Sequence, residues 1–283
     1  MNFNYDLVVA YRVYPKFSNA YLKISHHFNF KTKFDLFYAY LLSFKEATKG
    51  LKTKIFAILD KCPENYIEAF KDVFKDVEFY FINEDLKGLE NVATFLIQTK
   101  LLSEQNLSSL VLFQEDDYFY INKLNYAIDF LKEIKEADVI SPEFQFSIVN
   151  TPWKRYIKNV IKFKNFEWIK IPSTTLTFLA RKEYVIKAKQ YLKNYSLLSD
   201  LGISLLGTKN LSIFRFDLPY YRYRLGMFLN LIINKKYNLL KEYMFNKKFN
   251  FFMPNPSIAI HLNPVSINDD RIRAINEFIK VIY

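Results

Sequence analysis

Three consecutive carboxylates, Glu115-Asp116-Asp117, follow the apolar run Val111-Leu112-Phe113. Carboxylates this crowded repel one another and raise each other's pKa unless a cation neutralises them. Hard oxygen donors of this kind suit Mg2+ or Mn2+. On an extended chain neighbouring side chains alternate, so Glu115 and Asp117 share one side and Asp116 takes the other. A carboxylate pair two residues apart can hold one divalent ion. That ion can bridge a diphosphate and stabilise its charge as it leaves. The competing reading is a solvated turn, or an N-cap for a helix over 122–136. Three further residues join the set. Asp60 ends the apolar run 53–60, and Asp200 follows Ser199, which can N-cap a short helix starting there. His261 ends the run 257–262, where an imidazole can ligate an ion, pair with a phosphate when protonated, or simply finish a strand.

Other chemistries are excluded by what the chain lacks. It has five glycines, at 50, 88, 202, 207 and 226, and no G-x-G-x-x-G can be written with them. The stretch Gly202 to Lys209 places Thr before Lys after the second glycine, the reverse of a phosphate-binding P-loop. The single cysteine, Cys62, excludes an internal disulfide and a cysteine-rich zinc site. Histidine is scarce, with only His26, His27 and His261. No G-x-S-x-G nucleophile elbow is present. The net charge of +11 favours anionic partners without choosing among them. With 51% hydrophobic residues in 283, the chain can bury a substantial core.

The elements that must hold these groups follow from periodicity. Residues 6–13, 53–60, 77–83, 109–114 and 137–141 read as strands. Helices are expected over 34–52, 64–76, 88–104 and 122–136. Strands apolar on both faces and alternating with helices imply an α/β fold with a parallel sheet covered on both sides. In such sheets ligands bind outside the carboxyl ends of the strands, where Asp60 and Glu115–Asp117 fall. Beyond this half, 145–170 reads as an aromatic, basic and loop-rich stretch carrying Trp153 and Trp168. Strands are expected at 173–181, 211–217 and 257–262, and helices at 182–194 and 269–282. No Ser/Gly/Pro-rich linker separates the halves, so residues 1–283 read as one domain, with a regular half over 1–142 and a less regular half over 143–283. No signal peptide or long apolar run appears, which leads us to expect a cytoplasmic protein.

The order strand, helix, strand-Asp, helix, strand, helix, strand-acidic triplet resembles the nucleotide-sugar-binding half of GT-A glycosyltransferases, the family 2-like enzymes above all. The likeness covers roughly residues 5–205 and implies a Rossmann-like, mostly parallel central sheet with helices on both faces. It also implies a more irregular aromatic and basic C-terminal part. It implies that the triplet is the D-x-D-type motif, with Glu115 and Asp117 on Mn2+ or Mg2+ and Asp116 toward the nucleotide. Asp60 then matches the acid that contacts the base or ribose, and Ala10-Tyr11-Arg12-Val13 the segment that cradles the nucleotide. Gly88 to Phe95 matches the family's helix start. In the second half Thr177 to Glu183 matches a strand ending in Arg-Lys-Glu, which puts Thr175 and Arg181 on the acceptor side. Asp200 matches the general base of inverting members, although Ser199 stands where the family has an acid and the later Asp and Arg are missing. On the residues alone, Asp200 is equally a helix-start charge favoured by the macrodipole. His261 matches a C-terminal His near metal or diphosphate.

The resemblance implies transfer of a sugar from a UDP- or GDP-type donor to a glycan or a lipid-linked acceptor. The stretches 153–170 and 220–252 interleave Lys and Arg with aromatic residues. They read as a core face plus a solvated face, as a surface for peripheral contact with a membrane, or as a single-strand nucleic-acid groove; no nucleic acid partner is expected. Two alternatives remain: a basic binding protein without catalysis, and a sugar-phosphate nucleotidyltransferase. The latter class carries a glycine-rich loop after the first strand, whereas this chain has no glycine before Gly50.

Overall fold

The computed structural model describes residues 3–83, 90–145, 159–208, 221–245 and 248–282. Strands β1 (Leu7–Val13), β2 (Thr53–Asp60), β3 (Val77–Ile82) and β4 (Leu110–Glu115) alternate with helices. The helices are α1 (Asn19–Leu22), α2 (Lys33–Ala47), α3 (Glu64–Val73) and α4 (Glu90–Glu104). Next come β5 (Tyr118–Tyr120), α5 (Asn125–Glu133), β6 (Val139–Ile140), β7 (Val160–Phe163), β8 (Phe166–Ile171) and β9 (Phe178–Arg181). Helices α6 (Lys182–Lys187), α7 (Lys189–Lys193), α8 (Tyr195–Gly207), α9 (Tyr221–Ile233) and α10 (Tyr237–Phe245) follow. The chain closes with β10 (Phe251–Asn255), β11 (Ala259–His261) and α11 (Asp269–Ile282).

The main sheet has the order β3-β2-β1-β4-β9-β6-β10-β8-β7, and β5 pairs with β11 in a separate two-stranded sheet. All strands of the main sheet except β8 and β9 run in one direction. The expected mostly parallel α/β sheet is present, with helices on both faces. Alternation explains its two cores. Val8, Ala10, Phe56, Ile58, Val111 and Phe113 face α4 and α6–α10. Leu7, Val9, Tyr11, Ile55, Ala57 and Leu112 face α2, α3 and α5. Each of the Val, Leu, Ile and Phe side chains, removed from water, stabilises the fold by about 1.5–3 kcal/mol. A third cluster, with Tyr21, Phe28, Tyr40, Phe119, Ile260 and Ile275, anchors residues 14–32 and α11 beside the strand ends. Helix α2 starts in a capping box: Thr32 Oγ1 accepts from Asp35 N at 3.1 Å and Asp35 Oδ2 from Thr32 N at 2.9 Å.

Several expectations are corrected here. The segment 160–171 forms a β-hairpin, turning at Lys164 with φ +54°, and buries Trp168 face to face with Phe130. The helix over 182–194 is split at Ala188. Ser199 does not cap a helix, because α8 already begins at Tyr195. The expected strand at 211–217, together with Gly88 and Trp153, lies outside the described residues.

Arg181 is not on the acceptor side. Strand β9 runs antiparallel to β4 and pairs Arg181 with Leu110, so it lies at the end of the sheet away from Glu115. Its guanidinium donates to the carbonyls of Ala137 at 2.9 Å, Ile134 at 3.3 Å and Leu131, closing the end of α5. We predict that Arg181→Met lowers stability by about 2 kcal/mol through these charge-assisted bonds, read from urea denaturation, and leaves ligand binding in the cleft described next unchanged.

Candidate active site

At the carboxyl ends of β1, β2 and β4 lies a cleft of about 430 Å³. Its walls include Arg12, Tyr14, Lys16, Lys33, Tyr40, Asp60, Thr94 and the whole acidic triplet. The strand register builds its inner end. Arg12 of β1 and Glu115 of β4 are direct partners in the parallel ladder, so both side chains leave the same face. They form an ion pair. Arg12 Nη1 also donates to Asn91 O at 3.0 Å and Thr94 Oγ1 at 3.2 Å, at the start of α4. Glu115 Oε2 accepts from Thr177 Oγ1 at 3.2 Å.

This geometry changes two expected roles. Glu115 was expected to hold metal, but its two oxygens face Arg12 and Thr177. Arg12 was expected to touch the nucleotide, but its guanidinium is spent on Glu115 and the first turn of α4. The expected alternation of the triplet also fails, because β4 ends at Glu115 and Asp116-Asp117 form the turn into β5. All three carboxylates therefore reach the same cleft.

Asp116 Oδ2 lies 2.8 Å from Lys33 Nζ and 3.3 Å from the backbone N of Tyr14. Burial, with the neighbouring Asp117, raises its pKa above the usual carboxylate value, and Lys33 offsets only part of that rise. Asp117 Oδ2 lies 2.9 Å from His261 Nε2, because β11 pairs His261 with Tyr118. Burial works against the imidazolium, but the Asp117 carboxylate prevails and lifts His261 to about 9. Burial likewise works against the Asp117 anion, and His261 holds its pKa below the usual carboxylate value. The other oxygen of Asp117, Oδ1, is buried without a hydrogen bond among the described residues.

His261 is held from three sides. The Tyr118 ring stacks on it at 4.7 Å, the Asn263 amide lies 2.6 Å from Nδ1, and its backbone N donates to Glu143 at 3.2 Å. Arg271 of α11 fixes Glu143 at 3.1 Å and Ser257 Oγ at 2.8 Å. Thr175 belongs to the same neighbourhood, since Tyr118 Oη donates to its Oγ1 at 2.7 Å. Asp60 lines the cleft, almost fully buried at the end of β2.

Ala10 and Tyr11 do not reach the cleft. Both are 0% exposed, and Tyr11 packs edge-on between Phe44 and Phe70. They lie inside the strand, whereas the accessible residues begin where β1 ends. Tyr14, 38% exposed at the cleft, takes the position expected of Tyr11. Sequence reasoning missed Tyr14, Lys16 and Lys33. The signal for Lys33 was a cation at the first position of a capped helix, where the macrodipole disfavours it. Asp200 lies in α8, one turn before Ser204, whose Oγ accepts from Thr174 N at 3.3 Å; its side chain is outside the described residues. His26 and His27 are exposed and are not among the residues that line the cleft.

Among the described residues, no three His, Cys, Asp or Glu side chains converge as a metal-binding set. The Asp117–His261 pair fits an ion nonetheless. It offers Asp117 Oδ1, which has no hydrogen bond among the described residues, and the His261 imidazole once an ion displaces the proton it shares with Asp117 Oδ2. Two protein ligands suit an ion that completes its shell with phosphate oxygens and water.

No family model and no curated protein matches the chain. Solved structures do match. The galactosyltransferase LgtC in complex with donor and acceptor sugar analogs matches over 97% of this chain and 94% of its own, with 9% identity and a TM-score of 0.46. TarS 1–349 of S. aureus in complex with UDP matches over 71% of this chain and 54% of its own, with 15% identity and a TM-score of 0.41. A 4-diphosphocytidyl-2C-methyl-D-erythritol synthase from Anaerococcus prevotii matches over 97% and 96%, with 9% identity and a TM-score of 0.42. These likenesses are distant, so what the cleft does must be argued from its own residues.

Removing one member of a buried ion pair strands the other charge. Arg12→Met should therefore cost about 3–5 kcal/mol in urea denaturation, and the double variant Arg12→Met/Glu115→Gln should recover most of that loss.

Proposed function

We propose that the chain is a metal-dependent glycosyltransferase. It moves a sugar from a UDP- or GDP-type donor to a hydroxyl of a glycan or a lipid-linked sugar. One observation carries this reading: a cleft at the strand ends lined by Lys33, Asp116 and Asp117, with Lys33 paired to Asp116 and His261 paired to Asp117 from beside the cleft. Fixed charges of both signs match a ligand with an anionic diphosphate and a hydroxyl-rich sugar.

The residues take the following roles. Tyr14, with part of its ring open at the cleft, receives the base, and Asp60 receives a ribose hydroxyl. Lys33 swings from Asp116 to the diphosphate, whose charge it offsets. Asp117 and His261 hold Mg2+ or Mn2+. When bound, that ion supplies positive charge to the diphosphate leaving group. The acceptor oxygen forms its bond to the sugar's anomeric carbon as the bond to the diphosphate breaks, and the diphosphate departs with the electron pair. The acceptor's proton passes to a general base, assigned to Asp200 if the reaction inverts the sugar. Thr175, tied to Tyr118 beside His261, borders the acceptor side.

The β1–α1 segment Tyr14-Pro15-Lys16-Phe17-Ser18 holds no glycine to wrap a triphosphate. This sets the proposal apart from nucleotidyl transfer, which would release pyrophosphate.

The first test is a thermal-shift panel of UDP- and GDP-sugars with and without Mn2+. Saturation near a hundred times Kd adds about 2.7 kcal/mol, so one sugar nucleotide should raise Tm by roughly 5 °C, with metal required. Asp117→Asn should abolish the metal-dependent part, and Lys33→Met should weaken donor binding at least about tenfold. No shift with any sugar nucleotide would overturn the proposal. Once an acceptor is found, Asp200→Asn should lower kcat by about 10²–10⁴ with donor binding retained; an unchanged kcat would remove Asp200 from the role of base.

A further inference from the structure

Helices α9 and α10 form a hairpin on the face of the sheet that carries α4. Met227, Leu231 and Leu239 are buried in that core, with Leu240 and Tyr243 packed against it. The outward side is unusual. Of the twelve large apolar side chains exposed among the described residues, five fall on this hairpin: Leu229, Ile232, Ile233, Tyr237 and Met244. Ile233 is 76% exposed and Met244 62%. Leu229, Ile232 and Ile233 share one face of α9, and Tyr237, Lys241 and Met244 share one face of α10.

The turn between the helices fixes this ridge. Lys235 takes the left-handed φ of +53°, and Lys236 N closes on Leu231 O at 2.8 Å. The tip therefore presents Ile232, Ile233 and Tyr237 beside three exposed lysines, Lys235, Lys236 and Lys241. Glu242, partly buried, is the single acid in the described stretch 221–245.

We infer that this hairpin is a docking surface for an anionic lipid bilayer, with the apolar ridge entering the interface and the lysines meeting the headgroups. The composition selects this occupant. A second copy of the chain would set the lysines against one another. A single-stranded nucleic acid needs several exposed rings to stack on, and among the described side chains of 225–244 Tyr237 is the one exposed ring. Apolar side chains flanked by cations are what a charged interface takes up. The inference does not depend on the glycosyltransferase reading, since it concerns a different face and a different ligand.

The test is co-sedimentation of the whole chain with vesicles of phosphatidylcholine alone, or with added phosphatidylglycerol. Binding is expected with the anionic vesicles and should weaken at high salt. Each lysine near the surface is worth about fivefold, so Lys235→Gln/Lys236→Gln/Lys241→Gln should lose on the order of a hundredfold. Ile232→Ser/Ile233→Ser should lose at least about tenfold. Both variants change exposed positions, and circular dichroism with a thermal melt verifies that they fold. Equal binding to neutral vesicles, no binding by the wild type, or undiminished binding by either variant overturns the inference. So does a dimer in sedimentation velocity that Ile232→Ser/Ile233→Ser dissolves.

Discussion

A guanidinium held against a carboxylate where two central strands end is the constraint on which the cleft depends. Arg12 and Glu115 meet because β1 and β4 pair in parallel at a register that makes them partners. Shifting either strand by one residue would send one of the two charges into the opposite apolar core. The pair thus ties sheet register to the placement of charge. It also reaches sideways, through Asn91 and Thr94 to α4, and through Thr177 to the segment entering β9. Strands and helix are brought to one point by hydrogen bonds that a buried ion pair must have if it is not to destabilise the fold.

From that fixed point the chain turns at Asp116 and Asp117, and the remaining carboxylates project over the strand ends. Each is met by a cation from a different part of the sequence: Lys33 from the start of α2 and His261 from the end of β11. His261 is in turn held by Tyr118 and by Glu143, which Arg271 anchors from the last helix. Asp117, held this way through His261, needs little reorganisation when a charged ligand arrives, which is the basis of electrostatic preorganisation, whereas Lys33 can reach a ligand only by leaving Asp116.

Much of the first half could be read in the residues. Runs such as Leu7–Val13 and Thr53–Asp60 are apolar on both faces, and that alone calls for a covered parallel sheet. The acidic triplet, Asp60 and His261 were found for the same reason: a charge at the end of an apolar run is conspicuous. Tyr11 and Arg181 were misplaced for two separate reasons. Tyr11 sits two residues inside the end of β1 and faces the core, so a small shift in the boundary decided reach. Arg181 ends a strand whose direction leaves no trace in its sequence, and running antiparallel moved it to the opposite end of the sheet. The β7–β8 hairpin was obscured because aromatic and basic residues fill strands and surface alike in this chain. The lysines of the cleft were hidden by abundance, since nothing in composition separates Lys33 from its many counterparts.

Strand β9 lies between β4 and β6, although both precede it in the chain. During synthesis, therefore, β4, already paired with β1, has an open edge for some sixty residues before β9 follows, its backbone N–H and C=O groups unpaired on that side. The sheet continues past β4 only when the four-residue β9 arrives, and it joins β6 to β8 only when β10 follows still later. Closure of this kind comes late and carries a large loop-entropy cost, so it slows folding. A nascent chain or fragment that stops before β9 leaves the β4 edge open, and its characteristic hazard is pairing with another copy of itself.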